Sequence, residues 1–538
     1  MVGIQLRGFA PTTARIVGMG FAIGCGALLV GCPQKTDCAD PANAAACGND
    51  QTVGIEASSS VVRVVQGDQA SLEITLEWPE TYNQPVTFEA DDTPSGISVE
   101  PVTVQAQAPT ATLNFRASAE TEQGVYPIRI VPASGSGTTP VEIAVELVVA
   151  GLPGSPDTSF DYDGQVGYGS LDEEYLDPRS VMDAQGRLVI IGERVSAAPY
   201  MIRVNADASV DTAFSESLAL QTTDADVFNY TDVFLDADQN IISMGWFRPE
   251  TGIIHGLIER RDAAGTLDPS FGDNGRIVVA VDYNTSFGRT HLLVRKEDFV
   301  VLYENTAYAY LPSGEPNPAF GEEGWIGGLP NYSGPFAVLL PDDNILWMAQ
   351  KTVDDGALIT NDGATVLDTD ISRFRSRLSA FYDYCFYFRT HYCRFDADSR
   401  ILCPGSYTND PDADPDTDNS TAHAFLVRMD QRGNFDSTFG EEGLVVRAGT
   451  VTSNTALAVL QSGQILVSEY DRTSNDSEDF VTYLALYNSD GSRDERFGTR
   501  GRVGVPVYTV TLDVDEIYGR VTFAGQLKGR LIILRRWL

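Results

Sequence analysis

LDPSFGDNGRIVV, Leu267–Val279, is the stretch whose reading decides the fold. Its phrase returns as FDSTFGEEGLVV from Phe435, as RDERFGTRGRVGV from Arg493 and, with asparagine in place of aspartate, as PNPAFGEEGWIG from Pro316. Shorter forms, PDTSF and VDTAF, begin at Pro156 and Val210. With the aspartate of D-x-x-F as ruler, the anchors are Asp157, Asp211, Asp268, Asn317, Asp368, Asp436 and Asp494, at intervals of 54, 57, 49, 51, 68 and 58 residues. The faintest is Asp368, where VLDTDI has Ile371 in place of the phenylalanine. A period of this length signals a propeller or a solenoid.

Two further phrases recur inside each unit. DAQGRLVIIG from Asp183, DADQNIISMG from Asp236, PDDNILWMA from Pro341, DADSRILCPG from Asp396 and QSGQILVSE from Gln461 each read as a tight polar turn followed by an alternating strand. MIRVNADASVD from Met201, LIERRDAAGTLD from Leu257, FLVRMDQRGNFD from Phe425 and LALYNSDGSRD from Leu484 read as a strand, a turn and the next anchor. With the strand after F-G-x-x-G, a unit holds about four strands and no convincing helix, which is a propeller blade. The aspartate oxygen accepts from the backbone N–H two residues on, making an Asx-turn. The phenylalanine that follows is then aimed to wedge between blades, so Phe160, Phe214, Phe271, Phe320, Phe439 and Phe497 are read as structural anchors. Only 44 residues follow Asp494. The segment just before Asp157 is therefore expected to supply the strand that completes the last blade and seals the ring.

GTLDPSFGDNG, Gly265–Gly275, closely matches the phrase G-x-L-D-x-S-F-G-x-x-G, and residues 152–538 resemble the delta-60 repeat family of bacterial β-propellers. That resemblance implies a secreted or surface protein and supplies no catalytic residues. The departures at Asn317 and Asp368 leave six, seven or eight blades open around an expected seven.

The N-terminus reads as an export address. Arg7 and Arg15 precede the 16-residue apolar run Ile16–Gly31, which is short for a membrane span. It ends in LVGC, Leu29–Cys32, which resembles a bacterial lipobox and implies a lipoprotein signal peptide over 1–31 with lipidation, palmitate included, at Cys32. Several acyl chains on one cysteine suffice for a membrane anchor. Pro33 after the cysteine implies, by the same resemblance, an outer-membrane lipoprotein facing the periplasm or the cell surface. A tether spans 32–51, where Cys38 and Cys47 are disulfide candidates in an oxidising compartment.

From 52 to 150, SLEITLEW, PVTFEA, ATLNFRA and VEIAVELVV alternate apolar and polar residues between Gly, Pro and Ser turns. About seven short strands suggest an immunoglobulin-like sandwich acting as a spacer. GVYPIRI, Gly124–Ile130, resembles the approach to the penultimate strand of such modules, where a tyrosine sits at the corner. The fold class expected for the whole chain is therefore all-β: an Ig-like β-sandwich, then a propeller of about seven four-stranded blades over 151–538.

Composition narrows function. With 37 Lys and Arg against 75 Asp and Glu, the formal net charge is −38, which disfavours nucleic acid as a partner. His255, His291, His391 and His423 fall in no metal-protease spacing, and neither a P-loop nor a G-x-S-x-G elbow occurs. Cys385, His391, Cys393 and Cys403 have the donor types for zinc, but Cys393 and Cys403 flank a hairpin turn and read as a cross-strand disulfide. Asp412, Asp414, Asp416 and Asp418 alternate as oxygen ligands do in calcium loops, without the glycine and terminal glutamate of an EF-hand. No cofactor is expected, with calcium left possible there. The expectation is a lipid-anchored cell-envelope protein whose propeller is a non-enzymatic binding or scaffold platform for a protein or glycan. The alternative is an extracellular hydrolase or lyase with its site at the propeller funnel. Exposed aromatics such as Trp246 or Trp325 would favour binding.

Overall fold

Alternation of apolar and polar residues dictates strands, and strands are nearly all that the computed structural model contains. It describes residues 53–538 apart from 81, 134–141, 170–174, 195–196, 215–227, 248–254, 281–290, 304–305, 330–335, 341, 349–355, 368–386, 391–392, 409–421, 432–433, 448–450, 473–479 and 510. The chain divides between Leu152 and Pro153 into two compact units.

The first unit holds two sheets around one core. One is ordered Gly54–Ala57, Gln69–Glu77, Thr110–Ala117, Ile97–Glu100; the other Val61–Val65, Ile143–Ala150, Gly124–Pro132, Val86–Asp91, Val102–Val104. Burial alternates along Gln69–Glu77, and Ile74, Phe88, Leu113, Phe115, Ile130 and Leu147 from both sheets meet in the core. Among the described residues there are nine strands rather than about seven because the chain twice changes sheet mid-run. One change falls at Pro101, which lacks the N–H that a continuous ladder would need. The Tyr126 hydroxyl donates to Glu122 O at 2.8 Å, pinning the start of the penultimate strand.

Among its described residues the second unit, Pro153–Leu538, contains seven sheets. Sheet I is Tyr175–Met182, Leu188–Arg194 and Ala197–Val204; the run after Phe214 lies outside the described residues. Sheet II is Phe228–Leu235, Ile241–Phe247, His255–Arg261 and Arg276–Ala280. Sheet III is His291–Val294, Phe299–Tyr303, Thr306–Tyr310 and Trp325–Ile326; sheet IV is Phe336–Leu339, Ile345–Met348, Gly356–Ile359 and Thr365–Leu367. Sheet V combines Tyr387–Thr390 and Arg394–Phe395 with Ile401–Thr408, Ala422–Met429 and Leu444–Arg447. Sheet VI is Val451–Val459, Ile465–Arg472, Phe480–Tyr487 and Arg502–Val505. Sheet VII is built on Asp513–Asp515, Arg520–Leu527 and Arg530–Trp537, and its outer strand is Gln165–Tyr168 from the beginning of the unit. The completing strand therefore follows Asp157 instead of preceding it. The turn Asp157–Gly164 must first seat Phe160 before the chain can run back along Arg530–Trp537.

Neighbouring sheets share apolar cores. Separate clusters join I to II, II to III, III to IV, V to VI, VI to VII and VII back to I. One anchor lies in each: Phe214, Phe271, Phe320, Phe439, Phe497 and Phe160 in that order, none more than 1% exposed. The faint anchor Asp368–Ile371, which falls between sheets IV and V, is outside the described residues.

Candidate functional site

The repeated turn is built the same way at five of the six described anchors. Ser159, Ser270, Ala319, Thr438 and Arg496 donate their backbone N–H to Oδ1 of Asp157, Asp268, Asn317, Asp436 and Asp494, at 2.9–3.1 Å. At Asp211 the donor is Phe214, three residues on, at 3.1 Å. The free oxygen takes an arginine: Arg203 to Asp211 at 2.7 Å, Arg260 to Asp268 at 2.7 Å, Arg428 to Asp436 at 2.8 Å and Arg520 to Asp157 at 3.0 Å. Arg203, Arg260, Arg428 and Arg535 also lie over the anchor rings of Phe214, Phe271, Phe439 and Phe160, 4.3–4.8 Å from the centroid. Each then donates to a carbonyl in the turn of the next sheet, at Ala263, Pro312, Ser489 and Ala206 respectively. At Asp211, Asp268 and Asp436 one guanidinium thus ties a carboxylate, a ring and a neighbouring backbone together, which a planar fork of donors can do and an ammonium cannot, while at Asp157 Arg520 takes the carboxylate and Arg535 the ring and the backbone.

The glycine after the phenylalanine adds a second tie. Gly272, Gly321 and Gly440 donate N–H to Ser313 O, Asp362 O and Asp490 O of the next sheet at 2.8 Å, and Gly498 donates to Pro153 O at 3.1 Å. At Gly272 φ is 53° and a Cβ would stand 2.3 Å from Arg276 O, so no side chain fits. The Gly498 contact reaches the first residue of the unit, so the last sheet treats the beginning of the chain as its next repeat. Burial and charge follow from these ties. Asp268 sits below the usual carboxylate range through the Ser270 hydroxyl and Arg260, and the Arg496 guanidinium holds Asp494 down at about 2.

All of these ties stand at one end of the strands. The link from the first to the second strand, also at that end, is four or five residues in every sheet. The link from the second to the third strand, at the opposite end, runs from two residues in sheets I, III and VII through seven in II, IV and VI to thirteen in V. His255, His291 and His423 sit at or next to the starts of strands entering from that variable end, on three different sheets. Burial lowers the His423 pKa.

Buried charge elsewhere is committed to packing. Glu259 accepts from Arg261, Arg276 and Tyr230 at 3.1, 2.8 and 3.1 Å. Glu469, fully buried and raised by that burial, accepts from Arg493 at 2.6 Å and from the Tyr487 hydroxyl, with Arg447 at 3.5 Å. Sealed carboxylates of this kind have no route to a substrate. An open depression of about 220 Å³ between sheets I and II is lined by Asp183, Arg187, Arg203 and Gln239, but its arginines are already paired with Asp183 and Asp211.

Where sheet VII meets sheet I, Ser180 Oγ donates to Asp513 Oδ2 at 2.5 Å and is hydrogen-bonded to Thr511 Oγ1. Burial raises Asp513 to about 6, against the pull of Ser180 and of the Arg394 guanidinium. Arg394 belongs to sheet V, so its charge acts on sheet VII past the intervening sheet VI. Ser180 is wholly buried and cannot serve an external substrate as nucleophile.

Of the residues expected from sequence, Cys393 and Cys403 are bonded to each other with Cα atoms 4.2 Å apart, across the hairpin. Sulfurs joined in this way are not thiolates, so the zinc reading of that cluster does not stand, and among the described residues no His, Cys, Asp and Glu group could hold a metal. Trp325 is 44% exposed and Trp246 partly buried. Cys32, Cys38, Cys47, Cys385, His391, Asp412, Asp414, Asp416 and Asp418 lie outside the described residues. Among the described residues no helix is long and apolar enough to cross a membrane. Sequence reasoning missed the arginines, although Arg203, Arg260 and Arg428 each stand eight residues before their aspartate. It also missed Ser180, Thr511 and Asp513, which belong to no phrase.

No family model and no curated protein matches the chain. Among solved structures it is similar to a Salmonella alpha-2-macroglobulin reacted with methylamine, at 7% identity over 90% of this chain and 39% of that one, with a TM-score of 0.18, a likeness that carries no argument about fold or function.

Proposed function

We propose that the chain is a lipid-anchored cell-envelope protein in which an Ig-like spacer carries a seven-bladed β-propeller of the delta-60 type, and that the propeller is a non-enzymatic binding platform for a protein or glycan. Seven sheets with shared cores, and a last sheet completed by the first strand, support the closed ring. The observation that carries the binding reading is the contrast between the two ends. Links of four or five residues recur at the tied end, whereas links of two to thirteen residues stand at the other. A scaffold that repeats its fastenings while varying its opposite loops is built to present a surface. Exposed Trp325 adds a second place for an apolar contact.

Crosslinking on intact cells, followed by mass spectrometry of what is captured, tests this reading. Replacing residues 409–421 by a short Gly-Ser link is expected to abolish capture while moving the melting temperature by no more than about 1 °C, because the closure entropy of a connection changes only slowly with its length. Capture undiminished after the long links of sheets II, IV, V and VI are all shortened would overturn it. Turnover of a glycan or ester panel with an empty partner list would instead assign a hydrolase or lyase. Cys32→Ser is expected to release the protein from the membrane fraction.

A further inference from the structure

We propose that Asp513 is a proton-operated latch at the seam between sheets VII and I, holding the ring shut when neutral and loosening it when charged. Asp513 is 4% exposed and meets sheet I through Ser180 across 333 positions of sequence. The hydroxyl chain works in either direction. A neutral Asp513 donates to Ser180, which donates to Thr511; a charged one accepts from Ser180, which accepts from Thr511. The bonds of Ser180 to Asp513 and Thr511 are therefore kept in both states, and what separates them is a charge placed in a closed interface.

The groups around Asp513 define how that charge is felt. Ser180, the Met182 N–H and, one residue along, Arg179 come from sheet I. Thr511 and the cross-strand partner Thr522 come from sheet VII, with Arg535 behind Thr522, donating to its hydroxyl at 3.1 Å. From sheet V the Arg394 charge favours the ionised form of Asp513. Arg535 is occupied with Ala206 and lies over Phe160, and the Arg179 charge acts on Asp232 of sheet II. Arg394 is the cation that acts on Asp513, and it does not offset the burial.

The sign follows from the folded value of about 6 against an unfolded value near the usual ~3.9. Between these the folded chain keeps a proton that the unfolded chain has lost, so stability falls as pH rises through the window and stays lower above it. The half-buried His423, its pKa lowered, works the other way, so the readout is the difference between wild type and variant.

The full chain and Asp513→Asn are melted from pH 4.5 to 8, and amide exchange, corrected for intrinsic rates, is followed in Gln165–Tyr168 and Arg530–Trp537. The wild type is expected to lose about 3 °C or more between pH 5 and 7.5 relative to the variant, and its seam amides to exchange about tenfold faster. The variant should keep the low-pH behaviour throughout. An equal pH step in both proteins, or faster exchange spread evenly over all seven sheets, would overturn the latch. Should the variant not fold, the carboxyl carbon resonance of Asp513 in the wild type decides: a midpoint below pH 5 rejects the proposal and one near 6 sustains it.

Discussion

Asn317 is the one described anchor that is not an aspartate, and its neighbours account for it. The position that holds Arg428 in sheet V holds Ala309 in sheet III, as the N–H bonds from Asp436 to Arg428 O and from Asn317 to Ala309 O show. The arginine is supplied instead by Arg295, which binds Asp298 at 2.5 Å and lies 5.2 Å from the centre of the Phe320 ring. Asn317 Nδ2 then donates to Asp298 Oδ2 at 2.7 Å, so an amide is required where a second carboxylate would face the first. Asn317→Asp is expected to destabilise by about 1–3 kcal/mol at pH 7. The new acid would be pushed up in the folded state, so the loss should shrink as pH falls towards 4, which denaturant melts at both pH values would measure. Asp494 has the opposite sign. Held down at about 2, it contributes stability above pH 4 that disappears on acidification.

At the scale of the element, hairpin turns were legible and bulges were not. A turn such as Asp236–Asn240 carries its own reason in the Asp236 carboxylate, which accepts from Asp238 and Asn240 N–H at 2.9 Å. The bulges between Leu176 and Arg179, Tyr230 and Asp232, and Asn454 and Ala456 all fall in first strands of their sheets. What an extra residue there must face is set by other sheets, and no local pattern records it. The first strand of sheet V is split into Tyr387–Thr390 and Arg394–Phe395, and the disulfide ties the second piece to Ile401–Thr408. Cys393→Ala with Cys403→Ala is expected to lower stability by about 2–3 kcal/mol, the amount that closing a ten-residue loop removes from the unfolded chain. Urea melts should show reductant abolishing the difference between wild type and variant; a difference that survives reduction would point to lost packing instead.

For the whole molecule the decisive event is that the last sheet takes its outer strand, its aspartate and its anchor ring from the first residues of the unit. Asp157 is fully buried beside Arg520, and Phe160 is covered by Arg535, both from the C-terminal strands. Deleting residues 157–168 from the full chain would bare the edge of Arg530–Trp537 and leave two buried arginines without their partners. The expected result is a melting temperature lower by about 10 °C or more and association through the open edge, seen by size exclusion. A monomeric deletion variant with an unchanged melt would show that closure there contributes nothing.

Strand content, repeat length and the Asx-turn with its buried ring were determined by sequence alone, because each rests on residues within a dozen positions of one another. The arginine that completes the tie was not read from the sequence: at Arg203, Arg260 and Arg428 the eight-residue spacing was overlooked, and at Arg295, Arg520 and Arg535 it arrives from elsewhere. The closing strand, the Ser180–Asp513 contact and the reach of Arg394 were decided only in three dimensions. These join residues as far as 369 positions apart, Gln165 to Leu534, and a periodic pattern does not say where its two ends meet.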